Sequence, residues 1–283
     1  MPLVETVDLD APGYYFLATD TPGILRWLAA KAEHLGVGLR LGQPYRSARR
    51  IESGFDLGAL GTTRFLVGAD GPQSRVAKTH GLGLNRRFLA GVEHEIPNAV
   101  IPAHDRLHCF VDRRLAPGYI AWMLQGVDAV QIGVALRLGK HRLVAKDHMQ
   151  RLLEKLSPVV DLRDRRPRSL RAGLIPWGGL VPKPAAQRVL LVGDAAGMVS
   201  PVTAGGIHTA LAHGMAAGHA IADYLSGEHP DAIPQIVQSY PRFRFKRALR
   251  FAFDHLQSDA LFNLLLATAP MRTTASMLYF HRR

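Results

Sequence analysis

RVLLVGDAAGMVSPVTAGGIHTALAHGMAAGHAIADYL, residues 188–225, is the stretch on which the reading of this chain turns. Val189-Leu190-Leu191-Val192 is a short apolar run with two β-branched residues, the pattern of a strand buried on both faces. Gly193-Asp194 ends that run where the backbone must turn tightly, so the aspartate is expected at the carboxyl end of a strand. In open α/β sheets ligands bind at that edge, and a carboxylate there suits a pair of sugar hydroxyls better than a phosphate. Ser200-Pro201 reads as a helix-start signal, and Thr203-Ala204-Gly205-Gly206-Ile207 leads into a helix that runs to Leu225. Gly205 and Gly206 strip side chains from the helix mouth, leaving N–H groups at the positive end of the helix dipole open to an anion. The helix is rich in small residues, among them Ala210, Ala212, Gly214, Ala216, Ala217, Gly218, Ala220 and Ala222.

A second segment repeats the logic. Arg64 to Ala77, RFLVGADGPQSRVA, is again a buried strand, a glycine, an Asp-Gly turn and a helix opened by polar residues. The pair resembles flavoproteins of the FAD-dependent monooxygenase and geranylgeranyl-reductase type, in which a G-A-D-G-x-x-S-x-V segment and a later G-D-A-A-G…P…G-G segment both contact FAD. The likeness runs from about residue 14 to 225 and is closest to the geranylgeranyl-reductase-like branch. It implies that Asp70 and Gly71 help to position FAD. It implies further that Asp194 hydrogen-bonds the ribityl chain, that Gly205, Gly206 and Ile207 bring backbone N–H groups to the flavin and pyrophosphate, and that Gly193 and Pro201 belong to the same cofactor-binding segment.

Members of this superfamily open with a strand, a G-x-G-x-x-G turn and a helix that takes the pyrophosphate. Gly36-Val37-Gly38 and Gly81-Leu82-Gly83 come nearest, but Leu41 and Arg86 stand where the third glycine belongs. Gly36 follows a predicted helix and reads as its C-cap. By the resemblance, roughly the first hundred residues of a complete member are expected to be missing, which makes Met1 an internal start or a point of truncation.

Length and composition set wider bounds. At 283 residues, 47% hydrophobic and 20% charged, the chain is an ordered globular protein large enough for a substantial core. The formal charge of +12 suits nucleic acid, anionic lipid or a polyanionic cofactor alike. No nucleic-acid reading module accompanies it, and no nucleic-acid partner is expected. The 13 histidines are scattered and Cys109 is the single cysteine, so no metal site, internal disulfide or catalytic cysteine is expected. His104 and His108 read as a solvated loop. The N-terminus is acidic and carries no signal-peptide pattern, and no apolar run reaches membrane-spanning length. A cytoplasmic location, with peripheral membrane contact as an option, is the expectation.

The fold class is therefore α/β, more broadly α+β. A partial FAD-binding domain with three-layer character is expected over residues 1–86, completed by a segment over 173–227. An antiparallel-sheet substrate domain spans 87–172 and a helical region 228–283. Strands are predicted at 14–17, 38–41, 46–51, 88–95, 107–111, 119–124, 130–136 and 171–175, with helices from Thr21 and over 146–156. Gln125-Gly126-Val127-Asp128 is a hairpin signal.

Geranylgeranyl-reductase-like proteins carry an aromatic Y-x-W-x-F-P segment along a lipid-substrate cavity. Tyr119-Ile120-Ala121-Trp122-Met123-Leu124 falls at the corresponding place with altered spacing, which would put Tyr119 and Trp122 on opposite strand faces, either as substrate contacts or as core aromatics. Residues 241–250, PRFRFKRALR, read as an amphipathic basic helix with Phe245, Leu249, Ala252, Phe253 and Leu256 on one side, Lys246, Arg247 and Arg250 on another and Phe243 and Phe251 as exceptions, its apolar side packed on its own domain or resting on an anionic membrane. Arg163, Arg165, Arg166, Arg168 and Arg171 read as a solvated approach to a strand.

These residues leave three functional readings. The first is an FAD-dependent oxidoreductase that exchanges a hydride at flavin N5 with an apolar, prenyl-lipid-like substrate, a flavin monooxygenase being its nearest variant. The second is a non-catalytic remnant without flavin, and the third a membrane-surface binding module. No residue is assigned as catalytic. His208, in the first turn after the glycines, is the titratable candidate nearest the flavin, and it reads more readily as a capping or packing residue.

Overall fold

The computed structural model describes residues 6–138, 144–162, 165–255 and 268–280. They form two compact units. The first draws on Met1–Gln43, Leu89–Gly173 and Leu256–Arg283, and the second on Pro44–Phe88 and Leu174–His255.

The second unit contains residues 188–225. β1 (Arg49–Ile51), β2 (Gly54–Asp56) and β3 (Thr62–Thr63) make a small antiparallel sheet. A second sheet has the order β10-β11-β4, with β4 at Leu66–Gly68, β10 at Ala185–Ala186 and β11 at Val189–Leu191. β10 and β11 are antiparallel, whereas β11 and β4 run parallel in the register Val189↔Leu66, Leu190↔Val67, Leu191↔Gly68. Val189, Leu190 and Leu191 are fully buried, as an apolar run without alternation requires. They share a core with Val76 and Ala77 of α2 (Arg75–Thr79), Ala217 and Ala220 of α4 (Ile207–Ser226), and Ile236 of α5 (Ile233–Ser239). Alanines along α4 let it approach closely; its buried residues are His213, Ala217 and Ala220. Tyr240, just past α5, donates its hydroxyl to the Leu191 carbonyl at 2.7 Å and stacks on His213 with ring centroids 4.1 Å apart.

The first unit is built on a five-stranded sheet of order β6-β7-β8-β5-β9. Its strands are β5 (Phe88–Pro97), β6 (His108–Phe110), β7 (Ala121–Gln125), β8 (Ala129–Arg137) and β9 (Ser169–Pro176). β7 and β8 are joined by the predicted hairpin, where Gly126 N–H bonds the Ala129 carbonyl and Asp128 takes a positive φ of 60°. α3 (Ala145–Leu156) lays Met149, Leu152 and Leu156 on Val130, Ile132, Val134 and Leu136, the alternate residues of β8. Each such side chain, fully buried, contributes about 1.5–3 kcal/mol. Gln131, Gly133 and Ala135 therefore face the other side of the sheet.

Several sequence expectations are corrected. Tyr14 to Leu17 form no strand: Tyr14 and Phe16 gather against Phe280 of α7 (Ala269–Phe280), with centroids 5.4 and 5.8 Å away, and among the described residues no strand pairs with them. Residues 38–41 likewise lack a partner, and the chain turns at Gly42 with φ 72°. α1 (Thr21–His34) forms as expected. Ser200-Pro201 opens a turn rather than a helix, because Ala204 adopts a left-handed φ of 48° and delays α4 to Ile207. Tyr119 lies in the turn before β7, bonded from its N–H to the Ala116 carbonyl, so the two-residue period does not relate it to Trp122. In α6 (Arg244–His255) the expected polarity is reversed at two positions: Phe245 is 68% exposed, whereas Arg250 is 8% exposed with its guanidinium 4.7 Å from the centre of the Trp177 ring. Stacking on the indole desolvates the arginine at little cost. The side chains of Ala252, Phe253 and Leu256, and Arg163, lie outside the described residues.

Candidate functional site

The parallel pairing of β4 with β11 is the step that builds the site. It sets Leu191 beside Gly68, and Val192 N–H continues the ladder to the Gly68 carbonyl at 2.9 Å. Two turns distant in sequence, Ala69 to Pro72 and Gly193 to Ala196, therefore leave the sheet side by side at its carboxyl edge. Gly68 has to be glycine, since a Cβ there would lie 2.8 Å from Leu191 and 2.9 Å from Val76.

The two aspartates at this edge are used differently. Asp70 accepts from Ser74 Oγ at 2.6 Å on one oxygen, and from the N–H groups of Arg75 and Val76 at 2.6 and 3.1 Å on the other. Ser74 in turn caps α2, its Oγ accepting from Ala77 N–H at 2.9 Å. Gly71 carries the positive φ of 80° that turns the chain between them. Asp70 thus shapes its own loop and the start of α2.

Asp194 sits in a one-turn 3-10 helix, Gly193–Ala196, entered at Gly193 with φ 56° and closed by Gly197 with φ 71°. Among the described residues its carboxylate makes no hydrogen bond or ion pair. Burial pushes its pKa above the ordinary aspartate value. One carboxylate oxygen lies 3.7 Å from where a Cβ of Gly206 would be. Gly206 is the N-cap of α4 and offers no side chain to it, and the N–H groups of Ile207, His208 and Thr209 find no acceptor among the described residues. Pro201 is buried, Gly205 is exposed, and Ile207, 71% exposed, begins the helix. His208 is exposed on the same turn.

A desolvated carboxylate without an internal partner, next to a helix mouth with free donors, fits a ligand that carries hydroxyls and an anionic group together. FAD has both, in its ribityl chain and its pyrophosphate. A cavity of about 110 Å³ runs along the same edge, lined by Pro72, Ser74, Lys78, Asn85, Phe88 and Ala195.

In the first unit Trp122 points to the side of the sheet away from α3. Its indole lies on Gly133 of β8, where a Cβ would come within 2.1 Å of the ring. The indole N–H donates to Glu93 Oε2 at 3.0 Å, and Arg171 donates to Glu93 at 3.2 Å and also to Glu95. Burial raises the Glu93 pKa, a shift opposed by the Trp122 bond and the Arg171 charge and reinforced by Glu95. Tyr119 and Trp122 thus belong to the first unit, and the aspartates and glycines of the two Gly-Asp motifs to the second. Sequence reasoning missed Asn85, Glu93 and Gly133, which lie outside any motif; strand pairing reveals Glu93 and Gly133, and side-chain bonds to the two turns reveal Asn85.

The parallel pair, its two aspartate turns and the bare helix mouth define an α/β edge of the kind that takes a nucleotide cofactor. The chain belongs to the FAD-binding domain family, which matches residues 6–252, and FAD is the cofactor of that family. The digeranylgeranylglycerophospholipid reductase of Methanocaldococcus jannaschii is 25% identical over 198 residues, 69% of this chain and 50% of that protein. A reductase of the same name from Methanothermobacter thermautotrophicus is 33% identical over 174 residues, 58% of this chain and 41% of that one. The chain thus spans about half or less of the length of these curated relatives. The crystal structure of a geranylgeranyl bacteriochlorophyll reductase-like protein from Thermoplasma acidophilum superposes with a TM-score of 0.73 at 18% identity, covering 92% of this chain and 72% of that one. The anhydrotetracycline hydroxylase OxyS of Streptomyces rimosus shares the fold more distantly, with a TM-score of 0.56 at 18% identity over 89% of this chain and 54% of that one. Among the described residues no helix is long and apolar enough to cross a membrane.

Proposed function

We propose that this chain carries the FAD-holding edge and the substrate sheet of an oxidoreductase acting on an apolar, prenyl-lipid-like substrate. The observation that carries the reading is the uncommitted, half-buried Asp194 carboxylate beside the donor-bearing mouth of α4. Asp194 accepts hydrogen bonds from the ribityl hydroxyls. Gly205, Gly206 and Ile207 present N–H groups to the anionic parts of the cofactor and stabilise charge that develops there. Asp70 and Gly71 hold the companion turn in shape. FAD, when bound, supplies hydride exchange at N5. The names of the reductase relatives support the substrate class, and Trp122, held flat by Gly133 and Glu93, supplies an apolar wall in the first unit. Phe245 and Phe251, each about two-thirds exposed, stand on α6 among Arg244 and Arg247 and suit peripheral contact with an anionic bilayer.

The test is an absorbance titration of the purified chain with FAD. It is followed by anaerobic incubation of the reduced complex with a geranylgeranyl glycerophospholipid, with mass spectrometry of the lipid. Saturable flavin bands and a gain of two hydrogens per double bond are expected. A chain that remains colourless in excess FAD removes the oxidoreductase reading, and oxygen inserted into an added substrate under air replaces reduction by hydroxylation. Salt-sensitive sedimentation with anionic, but not neutral, vesicles tests the membrane contact.

A further inference from the structure

Asn85 belongs to neither Gly-Asp motif, yet its side chain touches both turns. Its Nδ2 donates to the Pro72 carbonyl at 3.0 Å and to the Asp194 carbonyl at 2.8 Å, with the Ala195 carbonyl further off at 3.5 Å. An amide nitrogen carries two hydrogens, so one is available for each turn. Beyond Val192 the β4–β11 ladder has ended, and among the described residues no other hydrogen bond joins the two turns.

The surroundings are built to hold this amide in place. Two residues earlier, Gly83 N–H bonds the Lys183 carbonyl at 3.1 Å, and a Cβ on Gly83 would lie 1.7 Å from the Pro182 carbonyl oxygen. Leu82, 7% exposed, is fixed in the core, its N–H bonded to the Ala77 carbonyl at 3.0 Å. On the far side the amide oxygen lies against Gly197, where a Cβ would come within 2.7 Å of it. The backbone is thus clamped before Asn85, and space is kept open after it.

We infer that Asn85 is a positioning residue that sets the spacing between the two cofactor turns, and through that spacing the presentation of the Asp194 carboxylate to FAD. The inference rests on the proposed binding of FAD at this edge. An open sheet edge with two independent turns would let Asp194 drift relative to Pro72; one shared amide couples them.

Asn85→Asp keeps the size and removes the donor, leaving a carboxylate against two carbonyl oxygens. Asn85→Ala removes the amide altogether and both of its bonds. Phe55→Leu, in the same core with its ring against His80 and Arg50, serves as a control for general destabilisation. In the chain without cofactor, hydrogen exchange is followed at residues 71–74 and 195–197. Loss of the two bonds predicts exchange about 10-fold to 100-fold faster in both turns together, and a weakening of FAD binding of the same order, in N85D and N85A but not in F55L. Acidification returns a single O–H donor to N85D, enough for one of the two carbonyls, and restores protection in part, while N85A stays loose. Unchanged exchange in both variants, or loosening of one turn alone, overturns the inference. A parent chain that binds no FAD overturns the proposed oxidoreductase function, and the exchange pattern still decides whether Asn85 couples the turns.

Discussion

The turn after β4 and the turn after β11 begin alike, each with a glycine and an aspartate at the carboxyl end of a strand of one parallel pair, and they spend their carboxylates in opposite ways. Asp70 takes three donors from its own loop and so becomes part of the scaffold. Asp194, beside it across a parallel register, takes none among the described residues, and its burial shows in a raised pKa. The difference separates a residue that builds a site from one that meets a ligand, and the chain on the C-terminal side of each aspartate sets it. After Asp70 the helix starts within five residues, so its N–H groups reach back to the carboxylate. After Asp194 the chain first makes a 3-10 turn and a loop, and α4 begins only at Ile207, with its free donors left open.

Breaking the scaffold side has the largest expected effect. Asp70→Ala removes an acceptor from three bonds and leaves the Arg75 and Val76 N–H groups without it, costing about 2–3 kcal/mol in chemical unfolding, with FAD binding weakened as a consequence. Gly133→Ala, in the other unit, drives a methyl into the Trp122 ring and is expected to cost about 1–3 kcal/mol with altered tryptophan fluorescence. Retained FAD affinity in that variant confines the cofactor edge to β4, β11 and α4. Tyr240→Phe removes the hydroxyl that ties down the end of β11 and is expected to cost about 1 kcal/mol.

Asp194→Asn has the smallest effect on stability, and its sign is informative. An aspartate whose folded pKa is raised binds its proton more tightly in the native state. The cofactor-free parent therefore loses stability as pH climbs from the ordinary value of 3.8 through the raised one, and stays lower above it. The asparagine variant lacks that decline, so at neutral pH it matches or exceeds the parent in melting temperature. A parent curve that instead rises across this window would show that Asp194 is paired in the folded chain.

Much of this contrast was legible in the sequence at the level of elements. An apolar run closed by a glycine and an aspartate announces a strand and a turn, and both strands are present, as are the 125–128 hairpin and α3, but only β11 is buried as expected, Val67 of β4 being 43% exposed. The failures have local causes. Tyr14 to Leu17 has strand composition but no partner, and a strand exists only through its neighbour. Ser200-Pro201 carries a helix-start signal that the left-handed Ala204 overrides. Asn85 was illegible because its bond to the Asp194 carbonyl joins residues 109 apart, and the Gly133–Trp122 contact because the hairpin register that sets it carries no motif signal in either strand. The division of labour between Asp70 and Asp194 needed coordinates for the same reason.

The most direct test of this division is an FAD titration of Asp194→Asn and the parent, read by flavin absorbance, with the melting temperature of each cofactor-free chain measured alongside. If Asp194 is the residue that meets the ligand, FAD binds the variant more weakly by about 10-fold or more, the loss of a charge-assisted bond, at an unchanged or higher melting temperature. Parent-like affinity, or a lost affinity that merely tracks a lower melting temperature, would contradict it.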